Sequence, residues 1–359
     1  MLRYECFTIT EYCQSITRTC KSIKNRVMIN FTVVVCTYNG AIRLFYVLDK
    51  LISQVIPDHW FWEIIVVDNN STDQTASLVK QYQSQYSSIV PIYYTFEPQQ
   101  GIAFARKRGI KLAKGEVIGF LDDDNIPSQT WVIDAYNFAQ SHPHAGAYGS
   151  HIEAQYEINP PPNFERIACL LAIINRGENS FRYDALERWL MPPGAGLVIR
   201  KKAWLNSVPS QLIFTGVQAQ SLANKGEDIE ALSYIRQQGW EIWHNPNMKI
   251  YHKVPYERLQ KPYLMKLCRS IGLSRYPTRM LQYSALQKPI FVAVHFFYDL
   301  YKLMVHSIKY KIVIPEDLVS QCEQELLLYS LFSFSYHWLH HIRKTIKKII
   351  LIFSTKCFN

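Results

Sequence analysis

An α/β chain built on a doubly wound, largely parallel sheet is predicted by three observations. Apolar runs rich in β-branched residues recur along the first half of the chain. Helical patterns separate them, and each run ends in small polar or acidic residues. In such a sheet the ligand crevice opens beyond the carboxyl ends of the strands, so all of this polar punctuation falls along one edge.

The first strand, Phe31-Thr32-Val33-Val34-Val35-Cys36, ends at Thr37-Tyr38-Asn39-Gly40, where small polar side chains and open backbone let a ligand approach. The second, Glu63-Ile64-Ile65-Val66-Val67, ends at Asp68-Asn69-Asn70-Ser71-Thr72-Asp73, and a helical pattern starts at Gln74. Gly101-Ile102-Ala103-Phe104-Ala105-Arg106-Lys107-Arg108-Gly109 opens a basic helix. The run Gly115-Glu116-Val117-Ile118-Gly119-Phe120-Leu121 stops at Asp122, Asp123 and Asp124. Three carboxylates buried at a strand end would repel one another unless a cation neutralised them. The triplet therefore reads as a divalent-metal site holding a phosphate-bearing ligand, or else as an ordinary Asp/Asn turn.

A helical pattern over 129–140 and a strand over 146–157 follow, and Pro160-Pro161-Pro162 breaks the chain. Residues 163–190, with Tyr183 and Trp189, carry no readable chemistry. Pro192-Pro193-Gly194-Ala195-Gly196 is a tight turn into a strand at Leu197-Val198-Ile199, where the glycines relieve turn strain or admit a ligand. Ile229, Leu232 and Ile235 recur at spacings of three, so Gly226-Glu227-Asp228-Ile229-Glu230 opens a helix toward Arg236. Its acids either favour the helix dipole or supply a base for an acceptor hydroxyl. Trp240 suits a sugar face or the core. His252 reads as a metal ligand, a diphosphate contact or a surface histidine.

Taken in order, Val35-Cys36-Thr37-Tyr38-Asn39, the stretch from Val66 to Asp73, Phe120-Leu121-Asp122-Asp123-Asp124 and Gly226-Glu227-Asp228 resemble the motifs of family 2 glycosyltransferases with the GT-A fold. The resemblance implies a doubly wound mixed sheet with a Rossmann-like nucleotide-binding half and an acceptor half. It implies that Thr37, Tyr38, Asn39 and Asp68 hold base and ribose, that Asp122 and Asp123 lie at the diphosphate, and that Arg106 offsets phosphate charge. Mn²⁺ or Mg²⁺ would be held chiefly by Asp124, with Asp122 and His252. Asp228 would be the general base and Glu227 would orient the acceptor, with Gly194 nearby. Lys107 departs from the pattern, since many relatives carry Asn there. A narrower resemblance, to transferases of hormogonium polysaccharide synthesis, rests on Gly226 to Glu230 and on Gly239-Trp240.

The implied activity is inverting transfer of a hexosyl-type unit from a nucleotide-diphospho-sugar, UDP-linked by preference, to a hydroxyl of a polysaccharide or lipid-linked acceptor. A sugar-phosphate nucleotidyltransferase is the first rival, but it should carry a Gly-rich basic loop after the first strand, where this chain has Ala41-Ile42. A non-catalytic, membrane-associated binding protein is the second.

With 359 residues, 48% of them apolar, the chain can bury one large core with appendages. Its net charge of +10 is unevenly spread: residues 256–359 hold 15 Lys/Arg against 6 Asp/Glu, and residues 1–27 hold 5 against 2. The middle of the chain is therefore slightly acidic, which argues against nucleic acid and points the basic tail at an anionic membrane surface. The expected organisation is an extension or mis-assigned start over 1–27, a catalytic domain over 28–255 and a helical, basic, aromatic tail over 256–359. Residues 326–342 carry no formal charge but include His337, His340 and His341, so the tail is expected to lie in the interface or to pack on the catalytic domain. The expected location is the cytoplasmic face of the cell membrane. The eight cysteines show no metal spacing, and Cys36 and Cys169 are expected as buried free thiols. Cys6, Cys13 and Cys20 recur every seven residues without an apolar stripe around them.

Overall fold

The computed structural model describes residues 29–58, 60–183, 191–216, 225–310 and 316–356. The expectations for residues 1–27, with Cys6, Cys13 and Cys20, and for Trp189 lie outside these residues.

The β-branched runs form strands buried on both faces, as parallel strands between helical layers must be. They are β1 (Phe31–Thr37), β2 (Trp62–Asp68) and β4 (Val117–Asp122), while β3 (Ile92–Phe96), at the sheet edge, buries only Ile92. The helices between them are α1 (Ala41–Ile52), α2 (Thr75–Tyr86) and α3 (Ile102–Leu112). After β4 come β5 (Asn125–Pro127), α4 (Trp131–Ser141), β6 (Ala145–Tyr156), β7 (Phe181–Arg182), β8 (Val198–Arg200), α5 (Lys201–Ser207), α6 (Glu227–Gln237) and β9 (Glu241–Val254).

The sheet order is β3-β2-β1-β4-β8-β6-β9-β5, with β7 on β9. β1 pairs in parallel with β2 and β4, and β6 with β9, while β8 runs antiparallel between β4 and β6. The chain leaves β1 in one direction for β2 and β3 and returns on its other side for β4. That reversal creates a crevice at the carboxyl ends of β1 and β4. Packing there is close: a Cβ on Gly119 would lie 2.5 Å from the Trp131 ring, so the centre of β4 has no room for a side chain.

One face of the sheet packs through Leu44, Leu48, Val79, Trp131 and Phe138 of α1, α2 and α4. The other packs through Ala105, Ile110, Ala203, Leu232 and Ile235 of α3, α5 and α6. This is the GT-A arrangement the motifs implied.

Four helices follow: α7 (Lys261–Met280), α8 (Lys288–Lys309), α9 (Leu318–Leu331) and α10 (Ser333–Lys356). The tail is not detached at residue 256. A third apolar cluster joins Phe164, Leu171 and Val254 to Leu264, Leu267, Val319 and Cys322 of α7 and α9. Arg166 adds ion pairs to Asp317 and Glu323. Asp317 also caps α9, accepting from the Val319 and Ser320 amides. The uncharged run 326–342 is divided between α9 and α10 at Phe332, and among the described residues no helix is long and apolar enough to cross a membrane. Cys36 is buried, and burial pushes its thiol up to about 12. Cys169, expected inside, is exposed, because the short 3-10 turn Ala168–Leu171 turns it outward while burying Ala168 and Leu171.

Candidate active site

The ends of β1 and β2 lock together. Asn39 and Asn70 both adopt left-handed backbone, φ 47° and 68°, the conformation Asn tolerates best after Gly. The Asn39 amide donates to Ser71 Oγ at 2.9 Å, and its side-chain oxygen accepts from the Thr72 amide at 2.8 Å. Asp68, 2% exposed, accepts from the Ser71 amide and from the Tyr94 hydroxyl, both at 2.8 Å. Above this floor the Tyr38 ring stands half exposed.

The three carboxylates at the end of β4 diverge, each to its own arginine. Asp122 Oδ1 lies 3.5 Å from Arg106 of α3. Asp123 accepts from Arg43 of α1 at 2.8 and 3.1 Å and from the Thr37 hydroxyl at 2.8 Å. Asp124 Oδ2 lies 2.9 Å from Arg258, in the 3-10 turn Tyr256–Leu259. The chain turns at Asp123 and Asp124, which points successive side chains at different elements. The expected repulsion is thus offset by guanidiniums, and the repulsion argument by itself requires no divalent ion. Thr37 and Asp123, both read as ligand contacts, bind each other. A Cβ on Gly40 would fall 2.0 Å from Asp123 Oδ2, so only glycine fits beneath that pair.

Arg106 joins the two halves of the site. It is 5% exposed, and its guanidinium reaches Asp122 on one side and Glu227 Oε1, at 3.2 Å, on the other. Gly194 sits directly against it, with a hypothetical Cβ 2.3 Å from Nη2. The Gly194 amide donates to Asp228 Oδ2 at 2.7 Å, and the Ile229 amide donates to Oδ1 at 2.8 Å. Burial raises the Glu227 carboxyl to about 7, aided by the neighbouring Asp228 and opposed by Arg106. Glu230, fully buried, accepts from the amides of Ile213 and Phe214 and so fixes the loop before α6.

Arg106→Met should therefore leave Glu227 and Asp122 without a counter-ion and cost about 3–5 kcal/mol of stability. The deficit should shrink as pH falls from 8 to 5, because Glu227, already raised to about 7, then takes up a proton and no longer needs the partner. Melting curves across that range check this; an equal deficit at both ends would contradict it.

His252 meets Asp124 because β5 pairs with β9 in a register that sets Asn125 opposite His252. Its Nε2 lies 3.5 Å from Asp124 Oδ2 and accepts from Arg258 at 3.0 Å. Burial opposes ionisation of Asp124, yet His252, Arg258 and Arg43 hold its carboxyl down at about 2. Asp122, the other expected ligand, faces Arg106 instead. Among the described residues no three of His, Cys, Asp and Glu are grouped closely enough to hold a metal, so the expected trio arrives as the pair Asp124 and His252 with Arg258 at their junction. The pair still suits a divalent cation chemically. It offers a carboxylate oxygen beside the Nε2 of a buried imidazole, two donor types that a manganese site accepts.

Trp240 is partly buried against the second face of the sheet, where a Cβ on Gly146 would meet it at 2.5 Å. Arg43, Tyr94 and Arg258 were not singled out from sequence. Arg43 and Arg258 sit in ordinary helical and loop contexts, and only pairing in three dimensions assigns them to Asp123 and Asp124.

Residues 32–205 match the family described as Glycosyl transferase family 2. That segment, just under half of the chain, is a family 2 glycosyltransferase domain. A poly(ribitol-phosphate) beta-glucosyltransferase of Bacillus spizizenii is 34% identical over 109 residues, 30% of this chain and 17% of that protein. Glycosyltransferase AglE of Haloferax volcanii is 33% identical over 101 residues, 28% of this chain and 32% of that protein. The matched stretch thus spans a third or less of either relative. A mannosyltransferase from Pyrobaculum calidifontis, solved with GDP-Man and Mn²⁺, superimposes with a TM-score of 0.53 at 16% identity, over 90% of this chain and 93% of that one. At that identity the likeness bears on the fold alone.

Proposed function

We propose that the chain is an inverting glycosyltransferase that uses a nucleotide-diphospho-sugar and acts on a hydroxyl of a polysaccharide or lipid-linked acceptor. One observation carries the reading: Arg106 binds the acidic strand end at Asp122 and the helix start at Glu227 together, so the donor-side and acceptor-side carboxylates share one crevice. The name of the Bacillus spizizenii relative, a glucosyltransferase, supports the same class of reaction.

The donor would lie across the β1 and β2 ends, with its base on the Tyr38 ring and its ribose near Asn39 and Asp68. Asp228 would take the proton of the acceptor hydroxyl as that oxygen attacks the anomeric carbon from the face opposite the diphosphate. The Gly194 and Ile229 amides hold the Asp228 carboxylate in one orientation, which favours a single direction of proton transfer. Glu227, paired with Arg106, would orient the acceptor. Asp124 and His252 would hold Mn²⁺ or Mg²⁺, which supplies charge neutralisation for the departing diphosphate. Arg258 would have to give up its contacts with both residues when the ion is bound.

The basic tail would place this chemistry at the cytoplasmic face of a membrane, near lipid-linked acceptors. Asp68→Ala tests the donor side. It should raise the donor dissociation constant about tenfold or more, read by calorimetry with a UDP-sugar, while leaving the fold intact. Unchanged affinity for every nucleotide sugar tried would contradict the assignment.

A further inference from the structure

Helix α8 has its polarity inverted. A helix on a water-soluble surface buries its apolar side and exposes its charges. In α8 the buried residues are Asp299, 2% exposed, and His306, 9% exposed. Asp299 is clasped by Arg279 of α7 at 2.5 and 2.9 Å, and His306 lies 3.0 Å from Glu323 of α9. The opposite side carries Ile290, Val294, Phe297, Tyr301, Met304 and Ile308, spaced alternately by four and three residues and each between 49% and 75% exposed. These positions form one continuous stripe along the 22-residue helix.

We propose that this stripe is the surface on which the chain lies against anionic lipid, with α8 parallel to the membrane and its apolar residues in the acyl boundary. An exposed stripe of this size on a helix that turns its only acid inward belongs in an apolar medium. The charge pattern selects the medium. Lys302 and Lys309 flank the stripe, Lys288 stands exposed at the helix start, and the one acid of α8, Asp299, is buried in an ion pair. Anionic headgroups complement that rim, whereas a second copy packed through the same stripe would set lysines against lysines with no acid of the helix to answer them. The inference rests on the membrane-surface reading of the tail and moves the anchor from the uncharged run 326–342, which includes Trp338, to α8.

The test uses the full chain with phosphatidylcholine vesicles, with and without about a third phosphatidylglycerol. Flotation should recover wild-type protein only with anionic vesicles. Phe297→Glu combined with Ile308→Glu should lower the bound fraction about tenfold or more, and Lys302→Gln combined with Lys309→Gln should lower it severalfold. Trp338→Ser should lower it less than either. Donor binding and circular dichroism should be unchanged in all three. If wild type ignores anionic vesicles, the membrane reading itself fails. If wild type binds but Trp338→Ser abolishes binding while the α8 variants bind fully, the tail is an anchor and α8 is not its surface. If the α8 changes instead abolish a dimer seen by sedimentation, the stripe is a self-interface and the proposal is overturned.

Discussion

Asp228→Asn is expected to slow turnover by about a hundredfold or more while donor affinity stays near that of the wild type. Asparagine keeps the shape, and its carbonyl oxygen can still accept from one of the two amides, of Gly194 or Ile229, that fix the carboxylate. The side-chain amide nitrogen cannot accept the other hydrogen bond, so a stability loss of about 1 kcal/mol should accompany the catalytic loss. The two effects separate easily, because a loss of that size leaves the protein folded at assay temperature. Steady-state rates and donor calorimetry on the same sample check the prediction. Loss of donor affinity in Asp228→Asn, with normal affinity and low turnover in Asp68→Ala, would mean that the two roles are exchanged.

Asp124→Ala is expected to abolish Mn²⁺-supported turnover, and excess chelator should do the same to the wild type. The substitution removes the carboxylate that now receives Arg258 and faces His252, leaving the imidazole as the one remaining ligand of the pair. Mn²⁺ affinity, followed by the paramagnetic resonance of the free ion, should fall with activity. Full activity in excess chelator would contradict the metal role, and the three arginines that already balance Asp122, Asp123 and Asp124 would then be sufficient for the phosphate chemistry.

The sheet was legible because its signal is local. Continuous β-branched runs mark strands buried on both faces, and the residues that end β1, β2 and β4 fall on one edge by the geometry of parallel strands. Helix starts at Thr75 and Glu227 lie within a residue of their expected positions. The partners of the acidic triplet were not legible. Arg43, Arg106 and Arg258 approach from three elements distant in sequence, and nothing in their own neighbourhoods marks Arg43 or Arg258 as different from a solvated cation. Arg106 was assigned to phosphate, yet its burial and its two carboxylate contacts make it the strut between the halves of the crevice. The inversion of α8 was hidden for a related reason. Its sequence period is amphipathic whichever side faces inward, and only the Arg279 ion pair and the Glu323 contact with His306 decide that the polar side is the buried one.

The central claim is glycosyl transfer from a sugar nucleotide, and product identity tests it most directly. Purified full-length protein should be incubated with Mn²⁺ and a panel of UDP-, GDP- and dTDP-sugars, with nucleoside diphosphate and pyrophosphate measured in the same reactions. At least one donor should release nucleoside diphosphate in a metal-dependent manner that Asp228→Asn suppresses. Release of pyrophosphate instead would assign the crevice to nucleotidyl transfer, and no release from any donor with an acceptor glycan present would contradict the catalytic reading.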